Sequence, residues 1–548
     1  MAYPVVQMPE TMPAAEAPPL AAEQPAQTPV QTSAIDTDVY AIHGADPEVL
    51  AYAMAKYSRS SLTMKESLAE ISSQRAEQFL NTFYFQYGHR SIADLAHIPF
   101  AIERLSLLAA IALVDEQRWD GQERSTRYQN FRKSGWYTPA IPGVAAEGAF
   151  TTTDYTAAVE ALFAAYDRVG AGMLEALKGA IPQPAAMKDE AYVRTLKARA
   201  FDVARYLLPL ATNTSLGQIV NARTLETQIC RLLSSEYAEV RGLGEKLRTA
   251  AAEPAWNVNH DEARVLVEEA CSTNPEMRSS ISGALLREVK AAPTLVKYAA
   301  PSDYAIQTRG ELRAVAAELM AGQAVEPAPV VDLVGPSANL EVELATSLLY
   351  PECHYSWRQL ERSVAALSGP GIAAIIHLGT KHRGRHDELP RPFSAGQTFQ
   401  FDILMDIGGF RDMHRHRRCV QLMQPYTDAH GYETPVCPGQ PTLAEAGLGD
   451  VFSQAMDAAF AAYRGLRDAA GPEAAAYLLP LGTRIRAMFK MDFAEALYIA
   501  ELRSGVAGHF SYRRIAWEMY LAVARRHPGL ASYFRIEDVN QPVDLLKR

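Results

Sequence analysis

Five residues of this chain occur twice. Tyr206-Leu-Leu-Pro-Leu210 returns 271 positions later as Tyr477-Leu-Leu-Pro-Leu481. Two fainter echoes keep the same order along the chain. Trp136-Tyr-Thr-Pro139 is answered by Tyr432-Glu-Thr-Pro435, and Phe100 in Ile98-Pro-Phe-Ala-Ile102 by Phe401 in Phe399-Gln-Phe-Asp-Ile403. The shift is about half of a 548-residue chain, which points to a tandem duplication; the competing reading is two unrelated helical segments that share a Leu-Leu-Pro turn. Residues 322–329, rich in Pro and Ala, break a helical pattern just before the strand-like run Val330-Val-Asp-Leu-Val334. The expected organisation is therefore a tail over 1–35, a first domain over 36–315, a linker over 316–335 and a second domain over 336–548, the two domains forming a pseudo-dimer. Residues 250–330 read as a helical extension.

The tail is rich in Pro, Ala, Gln and Thr, and the first basic residue is Lys56. That composition predicts disorder and lacks the positive charge of a secretory or mitochondrial leader. No apolar run is long enough to span a bilayer, so a cytoplasmic protein with no membrane association is expected. A net charge of −10 argues against a dedicated nucleic-acid binder. Five scattered cysteines without metal spacing fit a reduced compartment, and no metal is expected.

Apolar residues at helical spacing predict an amphipathic helix over about 222–250, and the matching stretch 492–525 reads likewise. Residues 99–103 and 398–404 read as strands, each followed by a short helix that leads into a polar motif. The class is mixed α/β, with more helix than strand.

Two polar motifs carry chemistry. Arg411-Asp-Met-His-Arg415-His-Arg417 is a dense basic run whose planar guanidinium forks match phosphate oxygens; the plainer reading is an exposed basic face. Two histidines flanked by cations make a poor metal site. Glu123-Arg-Ser125-Thr-Arg127 places Ser125 and Arg127 two apart, on one face if the segment is extended. No Gly-rich phosphate loop and no nucleophile elbow is legible.

Together these residues resemble flavin-dependent thymidylate synthase. Tyr87-Gly-His-Arg-Ser91, Glu123–Tyr128, Val203-Ala-Arg-Tyr-Leu-Leu-Pro-Leu210 and Ile219-Val-Asn-Ala-Arg-Thr-Leu225 are similar to family segments in the first copy. In the second copy, Phe399-Gln-Phe and Arg411–Arg417 look like the family's strand and Arg-His-Arg motif. The resemblance implies methylation of dUMP to dTMP, with methylenetetrahydrofolate as carbon donor, FAD as cofactor and NADPH as reductant. It implies that Arg415, His416 and Arg417 hold FAD, with Asn221, Arg223, Ser58, His89 and Ser91 around the flavin. Glu123, Ser125, Arg127 and Arg205 would bind dUMP, and Ser125 and Arg503 would serve catalysis, a cation near the uracil carbonyl stabilising developing charge. A homodimer of fused chains would mimic the family tetramer.

Each copy departs from the family pattern, and the departures are complementary. Leu113-Val-Asp-Glu-Gln117 stands where the first copy would carry Arg-His-Arg. Gln424-Pro-Tyr-Thr427, Ala476 and Asp492-Phe-Ala494 replace the second copy's Ser-x-Arg, Arg205 and Asn-Ala-Arg equivalents. Either the sites are composite, one copy supplying the flavin motif and the other the nucleotide residues, or the chain is a non-catalytic descendant that binds a flavin, a nucleotide or a partner.

Overall fold

Half-buried alternation in His97–Ser106 and Asn213–Asn221 produces two antiparallel strands, β1 and β3, paired from His97 opposite Asn221 to Ser106 opposite Asn213. Strand β2 (Asp120–Glu123) lies on the far side of β3, giving the order β1-β3-β2. Arg104, at φ 60°, sits in the left-handed region and marks a bulge between Glu103 and Leu105. The second sheet has the order β4-β5-β7-β6, with β4 at Val331–Leu333, β5 at Phe399–Asp406, β6 at Val420–Met423 and β7 at Arg484–Met491. These features belong to a computed structural model that describes residues 44–56, 64–70, 90–142, 149–273, 275–335, 339–384, 387, 389–394, 399–532 and 534–546. The tail over 1–35 lies outside the described residues.

The helices repeat the same order. β1 runs into helix α1 (Leu107–Leu113), capped by Ser106. Helices α2 (Thr152–Ala180) and α3 (Asp189–Ala204) follow, then α4 (Ala222–Leu233) and α5 (Ala238–Ala252) after β3. Helix α6 (Asp303–Leu319) precedes β4. In the second half, β5 runs into α7 (Ile407–Met413), capped by Asp406, and α8 (Gly449–Ala470), β7, α9 (Phe493–Ser504) and α10 (Phe510–Arg526) complete the series. Residues 46–548 pack as one compact unit. Helices His260–Thr273, Arg278–Leu285 and α6 fall within 250–330.

The long helix expected over 222–250 is two helices. Ser234 ends α4 by donating from Oγ to the Cys230 carbonyl at 2.7 Å, and α5 starts after Tyr237. The break directs Glu239 to the start of α1, where it accepts from Ser106 N–H at 2.8 Å and Ser106 Oγ at 2.6 Å. The matching stretch breaks between α9 and α10, and there Ser511 donates to Asp406, the cap of α7. A periodic sequence cannot signal such a break, because both pieces keep their apolar faces on one core.

The repeated pentapeptides meet each other. Leu210 N–H donates to the Leu479 carbonyl, and Leu481 N–H to the Leu208 carbonyl, both at 2.9 Å. Ala211 N–H donates to Tyr477, and Gly482 N–H to Tyr206, again at 2.9 Å. Residue i bonds the partner of j while j bonds the partner of i, the pattern of an isologous two-fold contact. Further out, Leu107 N–H bonds Thr212 as Ile407 N–H bonds Thr483, and Arg124 N–H bonds Ser215 as Gln424 N–H bonds Arg486.

The halves differ in cover. Every residue of β7 after Arg484 is buried, because helices from the 303–381 region form a second core over the outer face with Trp357, Leu360, Leu422 and Met488. On β3 the residues matching Met488 and Lys490 are Gly217 and Ile219, both exposed.

Candidate functional site

The short helix α7 carries the basic run to the junction, where it meets β2 and the loop after it. Arg411 forms an ion pair with Glu123 from the other half. Asp412, one residue on, accepts from Arg205 Nη2 at 3.1 Å. Arg205 is almost wholly buried and also donates to Thr126 Oγ1 at 3.5 Å. Burial opposes charge on Asp412, but Arg205, Arg127, His509 and Arg503 outweigh it and hold the carboxyl below its usual range.

Arg127 lies beside this pair. Its Nε donates to Asp202 Oδ1 at 2.8 Å, its Nη2 to Asp202 Oδ2 at 3.2 Å, and its Nη1 to Tyr512 OH at 3.0 Å. Ser125 and Arg127 do not lie on an extended segment, the condition under which they would share a face; the chain turns after Glu123. Ser125 Oγ accepts the Arg127 N–H at 3.2 Å, and its carbonyl accepts from Tyr128 and Gln129. A serine that bonds the backbone two residues on competes with strand pairing, so the strand does not continue past Glu123. The turn carries Arg127 inward to Asp202 instead of along the sheet.

Arg503 reaches the same cluster from α9. Its guanidinium carbon lies 5.4 Å from the Tyr512 ring centroid, and that of Arg127 lies 5.8 Å from it. Arg503 Nε donates to His416 Nε2 at 2.8 Å. His416 Nδ1 lies 3.4 Å from Glu495, so the neutral ring carries its proton on Nδ1. Burial, then Arg503 and Arg417, push His416 down to about 3.

The rest of the basic run faces the first half's acidic replacement. Arg417 donates to the carbonyls of Val114 and Glu116 and lies 4.9 Å from the Trp119 ring centroid. His414 is buried, with Nε2 3.5 Å from Asp115, and Asp115 pairs with Arg391. Arg415 is exposed. An exposed arginine beside Arg411 and Arg417 is a donor set suited to a diphosphate, so in charge the run fits a dinucleotide cofactor. The two clefts bounded by these residues, about 10 and 20 Å³, have room for no more than a water.

Other expected site residues stand elsewhere. Asn221 caps α4, accepting from Thr224 N–H at 2.8 Å, and Arg223 lies 3.4 Å from Asp94. Ser58 and His89 lie outside the described residues, and of Ser91 only its place in the short 3-10 helix Arg90–Leu95 is described. Asp202, Asp412, Tyr512 and His509 were missed by the sequence reading. Asp412 stands inside the quoted motif, but its role shows only once Arg205 is placed against it. Among the described residues no group of three His, Cys, Asp or Glu could hold a metal, and no helix is long and apolar enough to cross a membrane.

The sequence model of the thymidylate synthase complementing protein family matches residues 41–254 and 390–529. A UPF0159 protein of Chlamydia muridarum is 28% identical over 533 residues, 92% of this chain and 93% of that protein. Another from Thermoplasma acidophilum is 26% identical, covering 88% and 94%. A flavin-dependent thymidylate synthase of Clostridium tetani is 25% identical over 214 residues, 39% of this chain and 81% of that protein. Among solved structures, a Helicobacter pylori flavin-dependent thymidylate synthase complexed with FAD and dUMP is 18% identical, covers 38% of this chain and 89% of its own, and has a TM-score of 0.23.

Proposed function

Since the chain belongs to the thymidylate synthase complementing protein family, we propose that it binds dUMP and methylates it to dTMP at a composite site, with residues of both halves acting together. One observation carries this reading: Arg127 and Arg205 from the first half and Arg411, Arg503 and Tyr512 from the second converge around Asp412. The halves act as a pseudo-dimer, and the complementary losses follow from it, since each copy keeps what the shared site uses.

In this reading Arg127 and Arg205 bind the nucleotide phosphate, with Asp202 and Asp412 holding their guanidinium planes. Ser125 fixes the turn that aims Arg127 and offers its hydroxyl to the nucleotide. Arg503 places its charge at the uracil carbonyl, where negative charge develops on attack. Neutral His416 orients Arg503 without repelling it. Arg415 and Arg417 hold the diphosphate of FAD, which supplies the reducing equivalents when bound.

The internal pairing of Arg127 with Asp202 and of Arg205 with Asp412 favours a second reading, a binding protein without turnover. One experiment separates the two. The purified chain is incubated with FAD, NADPH, methylenetetrahydrofolate and dUMP, and dTMP is measured; the flavin spectrum is recorded with and without dUMP. The composite enzyme forms dTMP, and Arg127→Ala and Arg415→Ala each abolish it. Bound flavin or dUMP without dTMP supports the second reading, and neither ligand binding at any concentration defeats both.

A further inference from the structure

The junction has two ends, related by the reciprocal bonds of the repeated segments. At one end stands the arginine cluster. The matching backbone bonds assign five of its members a counterpart at the other end: Ile111 for Arg411, Ala112 for Asp412, Met423 for Glu123, Thr427 for Arg127 and Ala476 for Arg205. Val240 answers Tyr512, through the matched contacts of Glu239 with Ser106 and of Ser511 with Asp406. Those counterparts do not close on one another. Ile111, Ala112, Val240 and Met423 line a cleft of about 310 Å³, together with Tyr237 and Tyr426.

The polar groups of this cleft are of a particular kind. Two of its three arginines are matched by carboxylates: Arg231 to Glu116 at 2.8 Å, and Arg313 to Glu236 at 2.9 Å and Glu352 at 3.4 Å. Arg309, from α6, donates to the Ser234 carbonyl at 3.0 Å. Burial pushes Glu352 up to about 7, against Arg313 and Arg309, whereas Asp115, which also lines the cleft, is despite its burial held below the usual carboxylate range by Arg391, His414 and Arg231. Three wall residues, each less than a tenth exposed, carry a polar atom with no hydrogen-bond partner among the described residues: His414 Nε2, Gln424 Oε1 and Tyr426 OH. Two of these atoms are acceptors. His414 Nδ1 lies 2.6 Å from Gln421 Oε1 and so bears the ring's proton, leaving Nε2 without one, 3.5 Å from Asp115 Oδ1, so that a donor placed between them would meet two acceptors. Gln424 Nε2 donates to the Tyr355 carbonyl at 2.9 Å, which fixes Oε1 as the free acceptor.

We infer that this second end is a binding cleft for a neutral, phosphate-free heteroaromatic molecule of bicyclic size that bears N–H donors. The apolar floor and the tyrosine walls fit a planar ring. Unpartnered acceptors call for ring or amino N–H groups. With Thr427 and Ala476 in place of the two arginines, and with Arg231 and Arg313 held by carboxylates, the cleft offers a phosphate much less than the arginine cluster does. Duplication has thus produced two unlike sites from one ancestral design. The inference stands on the cleft itself and does not require the arginine cluster to be catalytic.

The test uses 2-aminopurine, a neutral fluorescent bicycle with an exocyclic amine and a ring N–H, titrated into the full chain. The expected result is saturable quenching, with one equivalent bound per chain and no displacement by inorganic phosphate. Ala112→Leu or Val240→Phe, which fill the floor, should abolish quenching while the melting temperature and dUMP binding are retained. Gln424→Met, which removes one acceptor at similar volume, should weaken binding about five- to tenfold. Arg127→Ala should lose dUMP but keep 2-aminopurine. No saturation up to about 1 mM would overturn the proposal. So would quenching that survives both floor-filling changes, or quenching that Arg127→Ala removes.

Discussion

Arg205 and Asp412 stand 207 residues apart in the chain and 3.1 Å apart in the fold, a buried arginine of one half held by a carboxylate of the other. Because Arg205 also donates to Thr126, the pair links the two sequence motifs into one cluster. It also places stability and function on the same atoms, because whatever anion replaces Asp412 at Arg205 must match a bond the protein already makes.

Removing the carboxylate alone should therefore be costly. Asp412→Ala leaves Arg205 buried without its counter-ion, and a loss of about 3 kcal/mol in urea unfolding is expected. Inorganic phosphate at millimolar levels should restore part of that loss if Arg205 is a phosphate ligand, and none of it if the pair is purely structural.

Arg127 and Arg503 share the Tyr512 ring from opposite halves. Arg503→Ala is expected to reduce turnover at least about 100-fold while changing dUMP affinity little, since its charge acts on the transition state. Arg127→Ala should instead raise the dissociation constant for dUMP, measured by calorimetry. Equal loss of affinity in both variants would contradict the separate roles.

His416 makes the fold acid-sensitive. The folded ring titrates at about 3, whereas an unfolded histidine titrates near 6.5. Between those values the unfolded chain takes up a proton that the folded one refuses, so stability falls as pH drops from 6.5 towards 3. The loss expected from this residue is roughly 2–4 kcal/mol, and His416→Gln should flatten that limb of the stability profile.

Glu352 acts in the opposite direction. Its folded value of about 7 lies above the ordinary glutamate range, so its contribution is present at low pH and is lost as pH rises through 7. Glu352→Gln should leave stability near pH 4 unchanged and raise it at pH 8 by roughly 2–3 kcal/mol.

The reciprocal contact is uneven at one position. Gly482 matches Ala211, yet a Cβ on Gly482 would stand 2.6 Å from Tyr206 Cδ1 and 3.2 Å from the Tyr206 carbonyl oxygen. Gly482→Ala should destabilise the chain by about 1–3 kcal/mol in thermal or urea unfolding.

Much of this was legible before any coordinates. The repeated Tyr-Leu-Leu-Pro-Leu segments were visible as strings, the strand–helix order was read in both stretches, and the family was named from its residues. These are local signals: periodicity, turn residues and short strings survive in the sequence because each depends on neighbours a few positions away. What the sequence could not disclose were the partners. The spacing of Ser125 and Arg127 leaves open whether the segment is extended until the Ser125 hydroxyl takes the Arg127 N–H, and Asp412 reads as one more charge in a basic run until Arg205 arrives from the other half. The pairing of Tyr512 with two arginines, and the cleft at the far end of the junction, exist only where elements hundreds of residues apart are packed together. The sequence by itself determined which groups the protein possesses and the order in which its elements form. Tertiary structure alone decided which charges are matched and which acceptors are left open, because burial and Coulomb energy depend on separations of a few ångströms that chain order does not encode.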